Sequence, residues 1–196
     1  AFRSGCFCRA SGKPSRDNRE RRWARRGGTL RLSDRSHRPP SQSGPAGSGR
    51  SNLAKAFAAA LECSDGGCGE CQQCKLVLAE AHPDVTILRT DRVVISIEEV
   101  RDLVSRSSMS TTIGDYRVVI IEDADRMTER TSNVLLKALE EPAEKVVWIL
   151  CAPSVSDLLP TIRSRTRNVN LRLPSIDEVA TLLVQRDGVA MDVARK

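Results

Sequence analysis

The octapeptide Gly44-Pro45-Ala46-Gly47-Ser48-Gly49-Arg50-Ser51 constrains the fold of this chain more than any other stretch. It fits the spacing G-x-x-x-x-G-K-[ST] at every position but one. A loop of this kind is the turn between a buried strand and a helix. Its glycines let the backbone take positive φ and bring successive N–H groups to one point, the helix behind adds its dipole, and a hydroxyl reaches a metal ion bridging two phosphates. Gly44, Gly47 and Gly49 are those glycines and Ser51 is that hydroxyl. The exception is Arg50, where lysine is expected, and a wide planar guanidinium does not replace a compact ammonium between phosphates. The motif therefore predicts a pocket for ATP and Mg²⁺ in which hydrolysis is impaired. The competing explanation is a flexible Gly/Ser loop that caps a helix.

The segment in front of the loop does not look like the strand that such a loop normally leaves. Arg38-Pro39-Pro40-Ser41-Gln42-Ser43 has two prolines and no β-branched residue, which argues against a central strand. Residues 1–43 carry 12 Lys/Arg against 3 Asp/Glu and are rich in Ser, Gly and Pro, the composition of a disordered basic segment. They are expected to be an unstructured tail, an arm that touches nucleic acid, or an aberrant reading frame that has displaced the first strand. The whole basic excess sits there, a charge of +9, and the remainder, with 19 basic and 22 acidic residues, is slightly acidic, which gives the net +6.

At 196 residues the chain has the size and composition of one soluble domain, or of one domain plus a fragment, with an aliphatic core, since only six residues are aromatic. No run reaches 18 apolar residues and the N-terminus has no apolar secretory segment, so the expectation is a cytoplasmic protein with no membrane contact. After the loop, Ser51 to Glu62 reads as a helix with Leu53, Ala54, Phe57, Ala58 and Leu61 on one face. Cys63, Cys68, Cys71 and Cys74 follow in the pattern C-x4-C-x2-C-x2-C. Four thiolates at that spacing converge on one tetrahedral ion, and structural Zn²⁺ is the expected occupant, with disulfides as the competing explanation. Gly66, Gly67 and Gly69 permit the tight turns. Cys6, Cys8 and Cys151 read as free thiols, and His82 as a turn residue.

Asp84 to Leu88 reads as a short strand, and Ser96 with Glu99 makes a capping box for the next helix. Arg117 to Ile121 is a continuous apolar run that suits a strand buried on both faces. It ends in Glu122 and Asp123, acids placed to hold Mg²⁺ and polarise water, although in the reverse of the usual Asp-Glu order. Helix-capping acids are the alternative. Thr128 caps a helix with Val134, Leu135, Ala138 and Leu139 inward, and Val146 to Cys151 is another buried strand. A helical turn near 158–164, a last strand over 167–171 and a second capping box at Ser175 and Glu178 complete the pattern. The alternation predicts an α/β fold, a parallel sheet with helices on both faces.

Three runs carry a resemblance to a known family: Val118 to Asp125; the helix Asn133-Val134-Leu135-Leu136-Lys137-Ala138-Leu139-Glu140-Glu141-Pro142; and Thr161-Ile162-Arg163-Ser164-Arg165-Thr166. Together they resemble the AAA+ P-loop module of bacterial DNA polymerase III clamp-loader subunits over about 44–186, and the cysteine cluster behind the first helix strengthens the likeness. The resemblance implies residues 44–174 as the AAA+ core with an inserted zinc module at 63–74, and 175–196 as the start of a truncated lid domain. Ser164-Arg165-Thr166 matches the family's Ser-Arg-Cys motif with threonine for cysteine, so Arg165 is implied as an arginine finger acting on the ATP site of a neighbouring subunit. Arg50 and the inverted Glu122-Asp123 make the chain look more like the delta-prime branch than the motor gamma/tau branch. The implied partners are the gamma/tau and delta subunits, with the sliding clamp and primed DNA reached through the complex. The alternative is an active gamma/tau-type ATPase that uses Arg50, Ser51, Glu122 and Asp123 as its own site.

Overall fold

The computed structural model describes residues 38–194. Strands β1 (Pro40–Ser43), β2 (Val85–Leu88), β3 (Arg117–Ile121), β4 (Val146–Ala152) and β5 (Arg167–Asn170) pair in parallel in the order β2-β3-β4-β1-β5. The main helices are α1 (Arg50–Glu62), α2 (Gln72–Leu78), α3 (Ile97–Ser107), α4 (Glu129–Glu140), α5 (Pro160–Arg163) and α6 (Ile176–Asp187), with a last turn, α7, at Met191–Ala194.

The apolar runs explain the two covering layers. Val119 and Ile121 of β3 join Trp148 and Leu150 of β4 in one core cluster, closed by Val100 and Leu103 of α3 and by Leu135 and Leu139 of α4. Val118 and Ile120 join Ile149 in a second cluster under Ala54, Phe57 and Ala58 of α1 and Val77 of α2. Side chains alternate across a strand, so a continuous apolar run is stable only between two apolar layers. Each fully buried Val, Ile or Leu contributes about 1.5–3 kcal/mol. Of the face expected on the first helix, Leu53 is the exception: it lies exposed while Ala54, Phe57, Ala58 and Leu61 are buried. Both capping boxes, Ser96 with Glu99 and Ser175 with Glu178, are formed, and Thr128 accepts from the Thr131 N–H at the start of α4.

The expectation of a missing first strand is overturned. Pro40–Ser43 is a strand, fully buried and seated between β4 and β5. Proline is tolerated because it stands at the first strand position. The Pro39 carbonyl accepts from the Arg167 N–H at 2.8 Å, and the Ser43 carbonyl accepts from the Leu171 N–H at 2.7 Å. Pairing on both edges thus imposes a conformation that intrinsic propensity disfavours. The sheet begins at Pro40, four residues before the boundary expected from composition, and the inference of an aberrant frame loses the absent strand that motivated it. Residues 1–37, with Cys6, Cys8 and most of the basic segment, lie outside the described residues.

Candidate functional site

Strand β1 delivers the phosphate loop to the carboxyl edge of the sheet. Gly47 and Gly49 both take φ +82°, a left-handed conformation in which an added Cβ would be strained. Gly44 is needed for a different reason: a Cβ there would lie 2.9 Å from the Leu171 carbonyl oxygen and 2.6 Å from Ser48 Oγ. Gly49 is the N-cap of α1 and offers no side chain to the N–H groups of the first turn, so those donors face the loop. Arg50, by contrast, folds back: Nη1 donates to the Gly44 carbonyl and Nη2 sits 3.6 Å from Asp123 Oδ1. The loop's own cation is bound to the loop and to Asp123.

The two acids leave the end of β3 as expected, but both are already engaged. Glu122 extends the ladder, its N–H donating to the Leu88 carbonyl at 2.9 Å. Its carboxylate receives a two-pronged contact from Arg89, Nε to Oε2 at 2.8 Å and Nη2 to Oε1 at 3.1 Å. Hydrogen bonds from Arg89, and more weakly from Ser51, hold the Glu122 carboxyl below its ordinary value. Asp123 adopts φ 52°, and its second oxygen pairs with Arg126 Nη2 at 3.5 Å. Beside them the buried Cys151 thiol is pushed up to about 12, first by burial; it is an inert core group.

The four cysteines converge behind α1. Cys63 is the C-cap of α1 and Cys71 the N-cap of α2, and the four sulfurs lie within 4.8 Å of one another. Backbone N–H groups point at them: Asp65 and Cys68 toward Cys63, Cys71 toward Cys68 and Cys74 toward Cys71. Burial works against ionisation of Cys63, but the Cys68, Gly67 and Asp65 amides bring it down to about 7. Gly66, Gly67 and Gly69 all have positive φ, as the turns require. This donor set suits a metal ion: four sulfurs at hand, one of them readied as thiolate, and knuckle amides already spent on sulfur. His82 is not among the ligands. It is buried in the turn, with Nε2 2.8 Å from Gln73 Oε1 and Nδ1 accepting from the Asp84 N–H.

Arg165 lies at the other end of the sheet. It precedes β5, whose first residue pairs with Pro40, whereas the phosphate loop follows Ser43 at the far end of β1. The strand between them spans roughly 13 Å at about 3.3 Å per residue. Its guanidinium is seated by the Glu140 carboxylate, by the Thr161 carbonyl at 2.9 Å and by Ser164 Oγ at 3.2 Å, and it stays partly exposed.

A parallel sheet with a glycine loop at its carboxyl edge, acids on the adjacent strand and a sulfur cluster behind the first helix narrows the possible relatives. The sequence model described as DNA polymerase III, delta subunit matches residues 42–175. The chain belongs to the DNA polymerase III delta-subunit family. Within that family it is delta-prime-like: it is 41% identical over 128 residues to DNA polymerase III subunit delta' of Pseudomonas aeruginosa, covering 62% of this chain and 39% of that protein. It is 36% identical over 138 residues to the delta' subunit of Haemophilus influenzae, covering 68% of this chain and 42% of that protein. The gamma/tau subunit of Mycobacterium tuberculosis is 31% identical over 160 residues, 78% of this chain and 28% of that protein. The chain thus spans less than half the length of these relatives.

Among solved structures, a gamma-subunit-related protein of Thermotoga maritima superposes with a TM-score of 0.51 at 23% identity, over 83% of this chain and 54% of that one. The Thermotoga maritima RuvB Holliday junction branch migration motor superposes with a TM-score of 0.53 at 14% identity, over 92% and 55%. These likenesses establish the AAA+ fold. What sequence reading missed in this family member is the set of partners: Arg89, Glu80 and Arg126 around the acids, and Glu140 beside Arg165. Arg89 had a signal available only with the register. Leu88 pairs with Ile121, so the next residue on each strand, Arg89 and Glu122, fall side by side.

Proposed function

We propose that this delta-prime-like subunit works in the clamp loader of DNA polymerase III, where it supplies Arg165 in trans to the ATP site of a neighbouring gamma/tau subunit during sliding-clamp loading. A guanidinium delivered from outside stabilises the charge that develops on the γ-phosphate. The observation that carries this reading is the position of Arg165 at the amino edge of the sheet, away from its own phosphate loop and pre-set by Glu140 and Thr161. A residue so placed serves a second subunit better than its own.

The remaining parts fit that role. Gly44, Gly47, Gly49, Arg50 and Ser51 keep the shape of a nucleotide loop, but a cation bonded to its own loop is poorly placed to assist turnover. Zn²⁺ held by Cys63, Cys68, Cys71 and Cys74 completes a closed shell and supplies a cross-link between α1 and α2 rather than chemistry. Residues from Ser175 onward begin the lid, the delta and gamma/tau subunits are the ring neighbours, the clamp and primed DNA are reached through the complex, and the setting is cytoplasmic. In a complex reconstituted with this subunit, Arg165→Ala is expected to lower ATP turnover at least tenfold while assembly on a sizing column persists. Undiminished turnover removes Arg165 from the role.

The gamma/tau relatives support a second reading, a motor subunit that hydrolyses ATP itself. Turnover by this subunit alone, abolished by Glu122→Gln, would establish it.

A further inference from the structure

The acidic pair at the end of β3 is the place where a divalent cation would be sought, and the residues around it do not fit one. All four oxygens are matched to guanidinium groups of the same chain: Glu122 Oε2 and Oε1 to Arg89 at 2.8 and 3.1 Å, Asp123 Oδ1 to Arg50 at 3.6 Å, and Asp123 Oδ2 to Arg126 at 3.5 Å. We propose that Glu122 and Asp123 form an arginine-locked structural cluster closed to Mg²⁺, with Arg89 as the residue that keeps the cation out.

Three independent anchors hold the lock. Arg89 is gripped from its other side by Glu80, Nη2 to Oε1 at 3.2 Å, and Glu80 is itself held by Lys55 Nζ at 3.2 Å from α1. Glu80 takes φ 57° to reach that position. Arg126 is fixed by the Thr90 and Arg92 carbonyls, both at 3.1 Å. Arg50 is fixed by the Gly44 carbonyl. Guanidinium is permanently charged, and its planar fork satisfies both oxygens of one carboxylate at once, so a metal ion must displace a two-pronged partner rather than water. The charge of the pair and of Glu80 is already balanced by three guanidinium groups, which leaves little negative potential to attract a further cation. The inverted acid order gains a physical reading. The longer Glu122 arm reaches across to the neighbouring strand's arginine, and the shorter Asp123 sits between Arg50 and Arg126.

The cluster belongs to this chain's own pocket and does not involve Arg165, so the test uses the zinc-loaded subunit alone. Mn²⁺, a Mg²⁺ substitute with little preference for thiolates, is titrated while the free-ion electron paramagnetic resonance signal is followed. The wild-type subunit is expected to show no stoichiometric Mn²⁺ site. Arg89→Gln, with a cooperative melt to show that it folds, is expected to bind Mn²⁺ about tenfold more tightly or better, and Glu122→Gln in that background to abolish the gain. A wild-type site lost in Glu122→Gln overturns the proposal, as does a folded Arg89→Gln variant that binds no better than wild type. The wild-type titration decides by itself if Arg89→Gln does not fold.

Discussion

Arg89 shows how one residue can redirect a site. It is half exposed, yet it faces a Glu122 side chain that is only 11% exposed, so removing it strands a buried carboxylate. Arg89→Gln is expected to cost about 1–3 kcal/mol at neutral pH, read as a lower Tm. The sign with pH follows from the depressed Glu122 value: the stabilisation is present above the unfolded carboxyl pKa of about 4.3 and is lost as pH falls through the lower folded value. The acid limb of the wild-type Tm profile should therefore be steeper than that of Arg89→Gln, and parallel limbs would contradict the pairing. None of this was legible in the linear sequence. Glu122 and Asp123 announce themselves by following a buried strand, but Arg89 is 33 residues away, and only strand register brings it alongside.

At the scale of elements, strand β1 is the instructive case. Its residues read as anything but a central strand, whereas β3 and β4 were plain from their apolar runs. Sequence propensity describes what a segment prefers alone; β1 is held by two flanking strands and by Ser43 Oγ contacts to Asn168 at 3.0 Å and Asn170 at 2.6 Å. The cost remains visible, since Ser41 Oγ and Gln42 Oε1 are buried without a partner. Ser41→Ala and Gln42→Leu together are expected to stabilise the fold by about 1–3 kcal/mol, raising Tm by roughly 2–4 °C per kcal/mol for a chain of this size. A lowered Tm would mean that those groups have partners that matter. Gly44→Ala should act in the opposite direction, about 1–3 kcal/mol of overpacking against Leu171. The convergence of the four cysteines was legible, because their spacing encodes it. One zinc per chain by elemental analysis is expected, with Cys74→Ser losing the metal and lowering Tm; full metal-free stability would contradict a structural role.

Across the whole molecule the parallel sheet separates two edges. The carboxyl edge carries a phosphate loop whose cation, Arg50, pairs with Asp123 while Arg89 takes Glu122, and the amino edge carries Arg165, tethered to Glu140. The AAA+ fold was legible from the order of strands and helices and from three short runs. The expectation for Arg165 came only with the family resemblance, and the pairing of the acids with Arg89 and Arg126 was not legible at all, because it depends on which side chains meet after folding. The most direct measurement compares ATP turnover of two clamp-loader complexes, one assembled with the Arg165→Ala subunit and the other with the Ser51→Ala subunit. Turnover is expected to fall in the first and to stay within about twofold of wild type in the second. Loss of turnover in the Ser51→Ala complex with an unaffected Arg165→Ala complex would contradict that expectation.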